Sequence, residues 1–352
     1  MTIHTFEVTS MLTGKAYYKI QKDLKAQGPD KWKAKKNGML YWGLSDNGIL
    51  INMHIVGKEG FFSYFIIYRI SAARVLENDN YLKLFNAKKY NKLEDKVNEL
   101  LKETSVYLPK LEKCNLRRLD FCVNVMLDNQ EQVKAYIKTA KRANVPANLE
   151  VYMQYDKKAK RSKPTKDDYT VYSDDYIAVS IYNKYKEMKK QKDGVYPESQ
   201  IEQAKNIVRL EIRCMEGKIE ALKKKYSIKS IADFMLYGDK IGNELYDYYM
   251  IKMFNRGSMY TLKEAMSRIE RSGYGKKSVE LLKEFVKECN ESRNAAGTLI
   301  EYKYAHGNNK LKQILSMLDD IETSYVTVTN RDIKLFDGYI PNPLELYEEY
   351  VA

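Results

Sequence analysis

The chain is poor in the side chains that build the commoner metal and redox centres. Its four cysteines, Cys114, Cys122, Cys214 and Cys289, stand far apart, which excludes a short-spaced zinc site or a disulfide framework and leaves buried thiols. The three histidines, His4, His54 and His306, are equally scattered. A metal is therefore expected on carboxylate oxygens, which favours Mg²⁺ or Mn²⁺ over zinc. The sequence has no glycine-rich phosphate loop and no GxGxxG, which sets aside an ATP-driven motor and a dinucleotide enzyme. No apolar run reaches the roughly 18 residues of a membrane span. The opening MTIHTFEVTS has neither a basic start nor an apolar stretch after it. The expectation is a cytoplasmic protein with no membrane partner.

What the chain has is positive charge and tyrosine. Lysine and arginine number 60 against 47 acidic residues, a formal charge of +13 over 352 residues, and such a field draws polyanions, nucleic acid first. Thirty tyrosines supply rings with a polar tip, suited to stacking on bases. The length exceeds what one core usually serves. Two domains are expected: a strand-rich one over residues 1–214 and a mainly helical one over 215–352.

Residues 3–70 read as antiparallel strands, with hairpin gaps at Asp46-Asn47-Gly48 and at Gly57 to Gly60. A helix follows over 81–102, with Leu93, Val97, Leu100 and Leu101 on one face. The run LRRLDFCVNVML then returns to a period of two. Leu119, Phe121, Val123 and Val125 share one face, and Arg118, Asp120, Cys122 and Asn124 share the other. A short helix is expected around 130–142. The basic stretch KKAKRSKPTK carries Lys160, Arg161 and Lys163 and suits phosphate contacts.

A hairpin, YTVYSDDYIAVSIYNK, leads to IVRLEIRC, where Arg209, Glu211 and Arg213 alternate with Val208, Leu210 and Ile212. Beyond Cys214 the pattern is helical. Thr261 with Glu264 marks a capping box, and two helices flank Gly273-Tyr274-Gly275 as a possible helix-turn-helix. Asp120 and Glu211 sit on strands whose apolar faces need a core, so on one sheet their carboxylates would share the polar face and hold a divalent cation. Arg118, Arg209 and Lys184 would neutralise phosphate charge, and a nearby tyrosine would attack phosphorus.

The ordered motifs Arg118-Leu119-Asp120, Tyr172, Tyr182-Asn183-Lys184 and Arg209-Leu210-Glu211 resemble the rolling-circle replication initiators of Gram-positive plasmids and phages, the Rep-trans and filamentous-phage-like group. The resemblance covers about residues 115–215. It implies an α+β fold with a palm-like antiparallel sheet related to the HUH endonucleases, and an enzyme that nicks and rejoins one DNA strand through a 5′-phosphotyrosyl intermediate. On that resemblance Asp120 and Glu211 bind Mg²⁺ or Mn²⁺, Lys184 assists at the phosphate, and Arg118, Arg209, Arg213 and Tyr182 contact DNA. Double-stranded origin DNA, single strands, a host helicase and a second copy of the chain are the implied partners.

Either Tyr169 or Tyr172 supplies the nucleophile. A two-residue turn at Asp174-Asp175 puts Tyr169 on the face of Tyr182, whereas a three-residue turn puts Tyr172 there, and Tyr172 is preferred. A conjugative relaxase or transposon nickase, and a catalytically inactive nucleic-acid-binding relative, are the alternatives.

Overall fold

A computed structural model of the 352-residue chain describes all residues except 29–31, 35–39, 45–47, 59–60, 77–81, 147–148, 152, 157–160, 165–168, 191–195, 293 and 352. At 32–34, 40–44, 58, 153–156, 161–164 and 348–351 it describes the backbone alone. The strands are β1 (Thr2–Leu12), β2 (Trp32–Ala34), β3 (Leu40–Leu44), β4 (Ile49–Lys58), β5 (Phe61–Ser71), β6 (Asn115–Met126), β7 (Glu150–Val151), β8 (Met153–Asp156), β9 (Arg161–Pro164), β10 (Tyr169–Ser173), β11 (Ile177–Asn183) and β12 (Ile207–Cys214). The helices up to β12 are α1 (Gly14–Ala26), α2 (Ala72–Leu76), α3 (Tyr90–Thr104), α4 (Gln130–Ala140), α5 (Lys184–Lys189) and α6 (Glu198–Gln203). After it come α7 (Glu216–Tyr226), α8 (Ile231–Leu236), α9 (Gly238–Phe254), α10 (Leu262–Glu270), α11 (Lys276–Glu291), α12 (Ala295–His306), α13 (Asn308–Asp320) and α14 (Pro343–Val351). The fold is α+β, an antiparallel sheet with flanking helices and a helical C-terminal region. Among the described residues no helix is long and apolar enough to cross a membrane.

Two compact units divide the chain, and the division does not follow the expected boundary at 214. The first takes Met1–Cys122, Asp175–Ile177 and Ile212–Asn243; the second takes Val123–Asp174, Ala178–Glu211 and Glu244–Ala352. The switch of periodicity after Cys214 marks a change of element type, not of packing partner. Thus α7 and α8 go with the N-terminal strands, and α8 packs on α3.

In the first unit the strands lie in the order β2-β3-β4-β5-β1-β6. β1 pairs antiparallel with β5, Glu7 opposite Arg69, and with β6, Glu7 opposite Arg118, with register shifts on the β6 side. Leu93, Val97, Leu100 and Leu101 of α3 are buried as their spacing predicts. Helix α1 occupies residues that the strand reading of 3–70 passed over. Thr13 caps it by accepting from Ala16 N, and Tyr17, Ile20 and Leu24 form its buried side. That cap and the i, i+3, i+7 spacing were the signal.

In the second unit β12, β11, β10 and β7 are neighbours in that order. Asn129 caps α4 by accepting from Glu131 N and Gln132 N. Thr261 accepts from Glu264 N at the start of α10, as the capping-box spacing predicts. Past Lys276 and Lys277, the exposed residues of α11 are Glu280, Glu284, Lys287, Glu288 and Glu291. With Lys276 and Lys277 at its start, the exposed side of α11 carries both signs of charge.

Asn342 closes the C-terminal packing of this unit, its Nδ2 donating to Asn255 O at 3.0 Å and to Gly257 O at 2.8 Å. Gly257 itself runs so close to the neighbouring backbone that an added Cβ would lie 2.1 Å from Thr323 N. Gly257→Ala is expected to destabilise the protein by about 1–3 kcal/mol through overpacking. An unchanged urea midpoint would show that the backbone yields there.

Candidate functional site

Strands β6 and β12 carry an apolar face and a polar one, and the structure buries both. Leu119, Phe121, Val123 and Val125 are buried, and so are Asp120, Cys122 and Asn124 between them. On β12, Arg209 is 0% exposed and Glu211 7%. Charges placed out of water must be paired or neutralised. Each unit solves this differently.

In the first unit the solution is a chain of ion pairs across the sheet. Glu7 Oε1 receives Arg69 Nε at 2.6 Å and Arg118 Nη1 at 3.2 Å, as the register that sets Glu7 between these arginines dictates. Arg118 then grips Asp120 with both arms, Nε to Oδ1 at 2.8 Å and Nη2 to Oδ2 at 2.5 Å. Arg213 adds its Nε at 3.4 Å from Asp120 Oδ1. Arg118 and Arg213 are thus engaged with carboxylates. Glu7 and Arg69 were not read from the sequence, because nothing local announces a cross-strand partner.

The second unit builds a mixed polar layer. Arg209 Nε donates to Asn124 Oδ1 at 2.7 Å, and Tyr182 donates its hydroxyl to Glu211 Oε2 at 3.1 Å. Lys184 follows directly at the start of α5, where Asn183 accepts from Lys186 N as the cap. Its ammonium donates to Glu187 Oε2 at 2.7 Å. Burial, then the Arg209 charge, lowers the Lys184 pKa to about 8, against the opposing pull of Glu187 and Glu211. Glu187 is a site residue that the motif reading missed, although its i+3 spacing from Lys184 is a usual ion-pair signal.

The two candidate tyrosines part company here. Tyr169 lies opposite Tyr182 and Ser173 opposite Ala178, so the connection between the last paired residues is 174–177, with Ile177 already in β11. Its even length gives the same parity as a two-residue turn. Tyr169 shares the face of Tyr182, its ring 5.9 Å away, and is only half-buried. Tyr172 points the other way. It is 2% exposed, its hydroxyl donates to Ala140 O of α4 at 3.2 Å, and burial raises its pKa. The register therefore puts Tyr169, and not Tyr172, on the face of Tyr182.

Of the basic hairpin, Lys160 lies outside the described residues, and Arg161 and Lys163 are placed by backbone alone, paired with Asp156 and Gln154. The four cysteines are free and buried, and burial pushes the Cys114 and Cys214 thiols up to about 12. His54 of β4 has its pKa lowered by burial and by Arg117.

Two outcomes follow from these environments. Tyr172→Phe loses the hydroxyl's hydrogen bonding, chiefly to Ala140 O, and is expected to cost about 1 kcal/mol of stability, measured by urea denaturation; a loss several times larger would give the hydroxyl another role. For Lys184, the folded pKa near 8 lies below the unfolded value of about 10.4, so the unfolded chain binds more protons between the two and stability rises with pH. From pH 7 to 9.5 the wild type should gain about 2 kcal/mol relative to Lys184→Met. A pH-independent difference would contradict the shifted amine.

Against known proteins, the chain matches no family model and no curated protein.

Proposed function

We propose that the protein is a DNA strand-nicking and joining enzyme of the replication-initiator type, with Tyr169 as its nucleophile. The observation that carries this reading is the cluster in the second unit. A half-buried tyrosine stands beside Tyr182, whose hydroxyl is held by Glu211, on a strand face that also bears Arg209 and leads into Lys184. In the proposed step the Tyr169 oxygen bonds to phosphorus as the bond from phosphorus to the 3′ oxygen breaks. The phenol loses one proton and the departing 3′ oxygen gains one, leaving a 5′-phosphotyrosine and a 3′-hydroxyl. In this proposal Lys184, an amine with a pKa near 8 that is held by Glu187, offsets phosphate charge and takes that proton once Glu187 releases it. Arg209, wholly buried and bonded to Asn124, acts by positioning the layer rather than by reaching a strand.

The expected Mg²⁺ or Mn²⁺ meets a donor set that does not fit it in its present pairing. A hard divalent cation needs several oxygen ligands. Both Asp120 oxygens accept from Arg118, and one Glu211 oxygen accepts from Tyr182. Among the described residues no group of three or more His, Cys, Asp or Glu forms a candidate cluster. Cation dependence therefore rests on the resemblance, and the pairing of Asp120 favours a second reading, a nucleic-acid-binding relative without the reaction.

The test is incubation of the full chain with end-labelled single-stranded oligonucleotides and with supercoiled plasmid, with and without Mn²⁺, scored for nicks and for protein that stays on DNA in detergent. Adducts that form in the wild type and disappear in Tyr169→Phe and Glu211→Gln, but persist in Tyr172→Phe, are expected. Binding with neither nicks nor adducts on any substrate would overturn the enzyme and leave the binder.

A further inference from the structure

Helix α1 presents to solvent a face with an unusual make-up. Lys15, Tyr18, Lys19, Lys22 and Lys25 are all exposed and recur at the spacing of one helical stripe. The one acidic residue of the helix, Asp23, is turned aside, its Oδ2 accepting from Ser105 Oγ at 2.6 Å. The stripe is thus lysine and tyrosine with no carboxylate on it.

The rings around it are ordered. Tyr18, 55% exposed, packs edge-on against buried Tyr17 at 5.5 Å and against Tyr64 of β5 at 5.9 Å. Two residues before Tyr64 on the same face of β5 stands Phe62, 53% exposed. On the other side Lys19 donates to the Tyr107 hydroxyl at 3.0 Å and lies 4.4 Å over that ring. Tyr107 is itself 42% exposed. Burying rings is the ordinary use of aromatic area, so rings held out on a rigid base beside four lysines call for a partner that is anionic and has flat faces.

We propose that α1 and the outer end of β5 form a binding surface for a single-stranded polynucleotide, with Lys15, Lys19 and Lys22 on successive phosphates and Tyr18 stacked on a base. Duplex DNA keeps its base faces covered, so exposed rings gain nothing from it. A lipid surface would need the apolar side of the helix, and that side, Tyr17, Ile20 and Leu24, is spent in the core at 0% exposure. This surface belongs to the first unit, and Tyr169, Tyr172 and Tyr182 belong to the second. It does not depend on the nicking reaction.

The test is fluorescence anisotropy of the full chain at several salt concentrations, with labelled oligo(dT), the same strand with abasic sites, oligo(U) and a duplex, and co-sedimentation with phosphatidylserine vesicles. Oligo(dT) is expected to bind more tightly than the duplex, and oligo(U) shows whether the sugar is read. The K15Q/K19Q/K22Q variant should bind at least ten-fold more weakly, with a log–log salt slope shallower by about 2, since each phosphate contact on a single strand contributes about 0.7. Tyr18→Leu keeps the helix and the apolar contact but not the ring. It should weaken oligo(dT) binding at least about five-fold and leave the abasic strand unchanged. Unchanged affinity and slope in the lysine variant, preference for duplex, or loss confined to vesicle binding would overturn the proposal. Because binding is read without cleavage, a chain that binds but never nicks still supports it.

Discussion

Arg209 of β12 has no exposed surface, and its Nε donates to Asn124 Oδ1 at 2.7 Å. A guanidinium out of water is several kcal/mol unfavourable unless it is hydrogen-bonded and balanced by charge. That requirement shapes the polar side of the second unit. Asn124 has to be polar although it lies on a strand between buried valines, and Glu211 brings a negative charge to the same strand face. Tyr182 gives Glu211 a hydroxyl donor, and Lys184 tolerates burial by taking Glu187 as its partner. Such a layer holds its members in fixed orientations, which a reaction at phosphorus needs more than it needs any single strong group.

The first unit answers the same problem with an alternating ladder, Arg69, Glu7, Arg118, Asp120 and Arg213. Here the carboxylates are matched by guanidiniums, and Asp120 is held bidentately, the strongest geometry available to such a pair. The motif that suggests a metal ligand from sequence is therefore, in the structure, an Arg–Asp pair within one strand. Cation binding through Asp120 requires Arg118 to release it. Arg213, 3.4 Å from Asp120 Oδ1, would have to give way as well.

Much of the fold can be read from the chain because it is local. The α3 stripe, the period-two faces of β6 and β12 and the Thr261 cap all follow from spacing alone. Other features depend on contacts that no window of sequence contains. Asp120, Arg209 and Glu211 are buried, whereas alternation by itself left open whether that face met solvent. The connection of residues 174–177 settled which of Tyr169 and Tyr172 shares the face of Tyr182, and its length is set by pairing register, not by composition. The unit boundary follows packing of α7 and α8 rather than the change in periodicity at 214. Helix α1 was legible, through Thr13 and the Tyr17, Ile20, Leu24 spacing, but its short lysine-rich sequence lay between stronger strand signals.

The central claim is that the sheet register puts Tyr169, and not Tyr172, at the reacting phosphate. It is tested most directly by trapping the wild-type protein on single-stranded DNA, digesting the DNA and the protein, and locating the nucleotide remnant by fragmentation mass spectrometry. The account predicts the remnant on Tyr169. A remnant on Tyr172, or on any residue outside the Tyr169–Lys184 face, would contradict it.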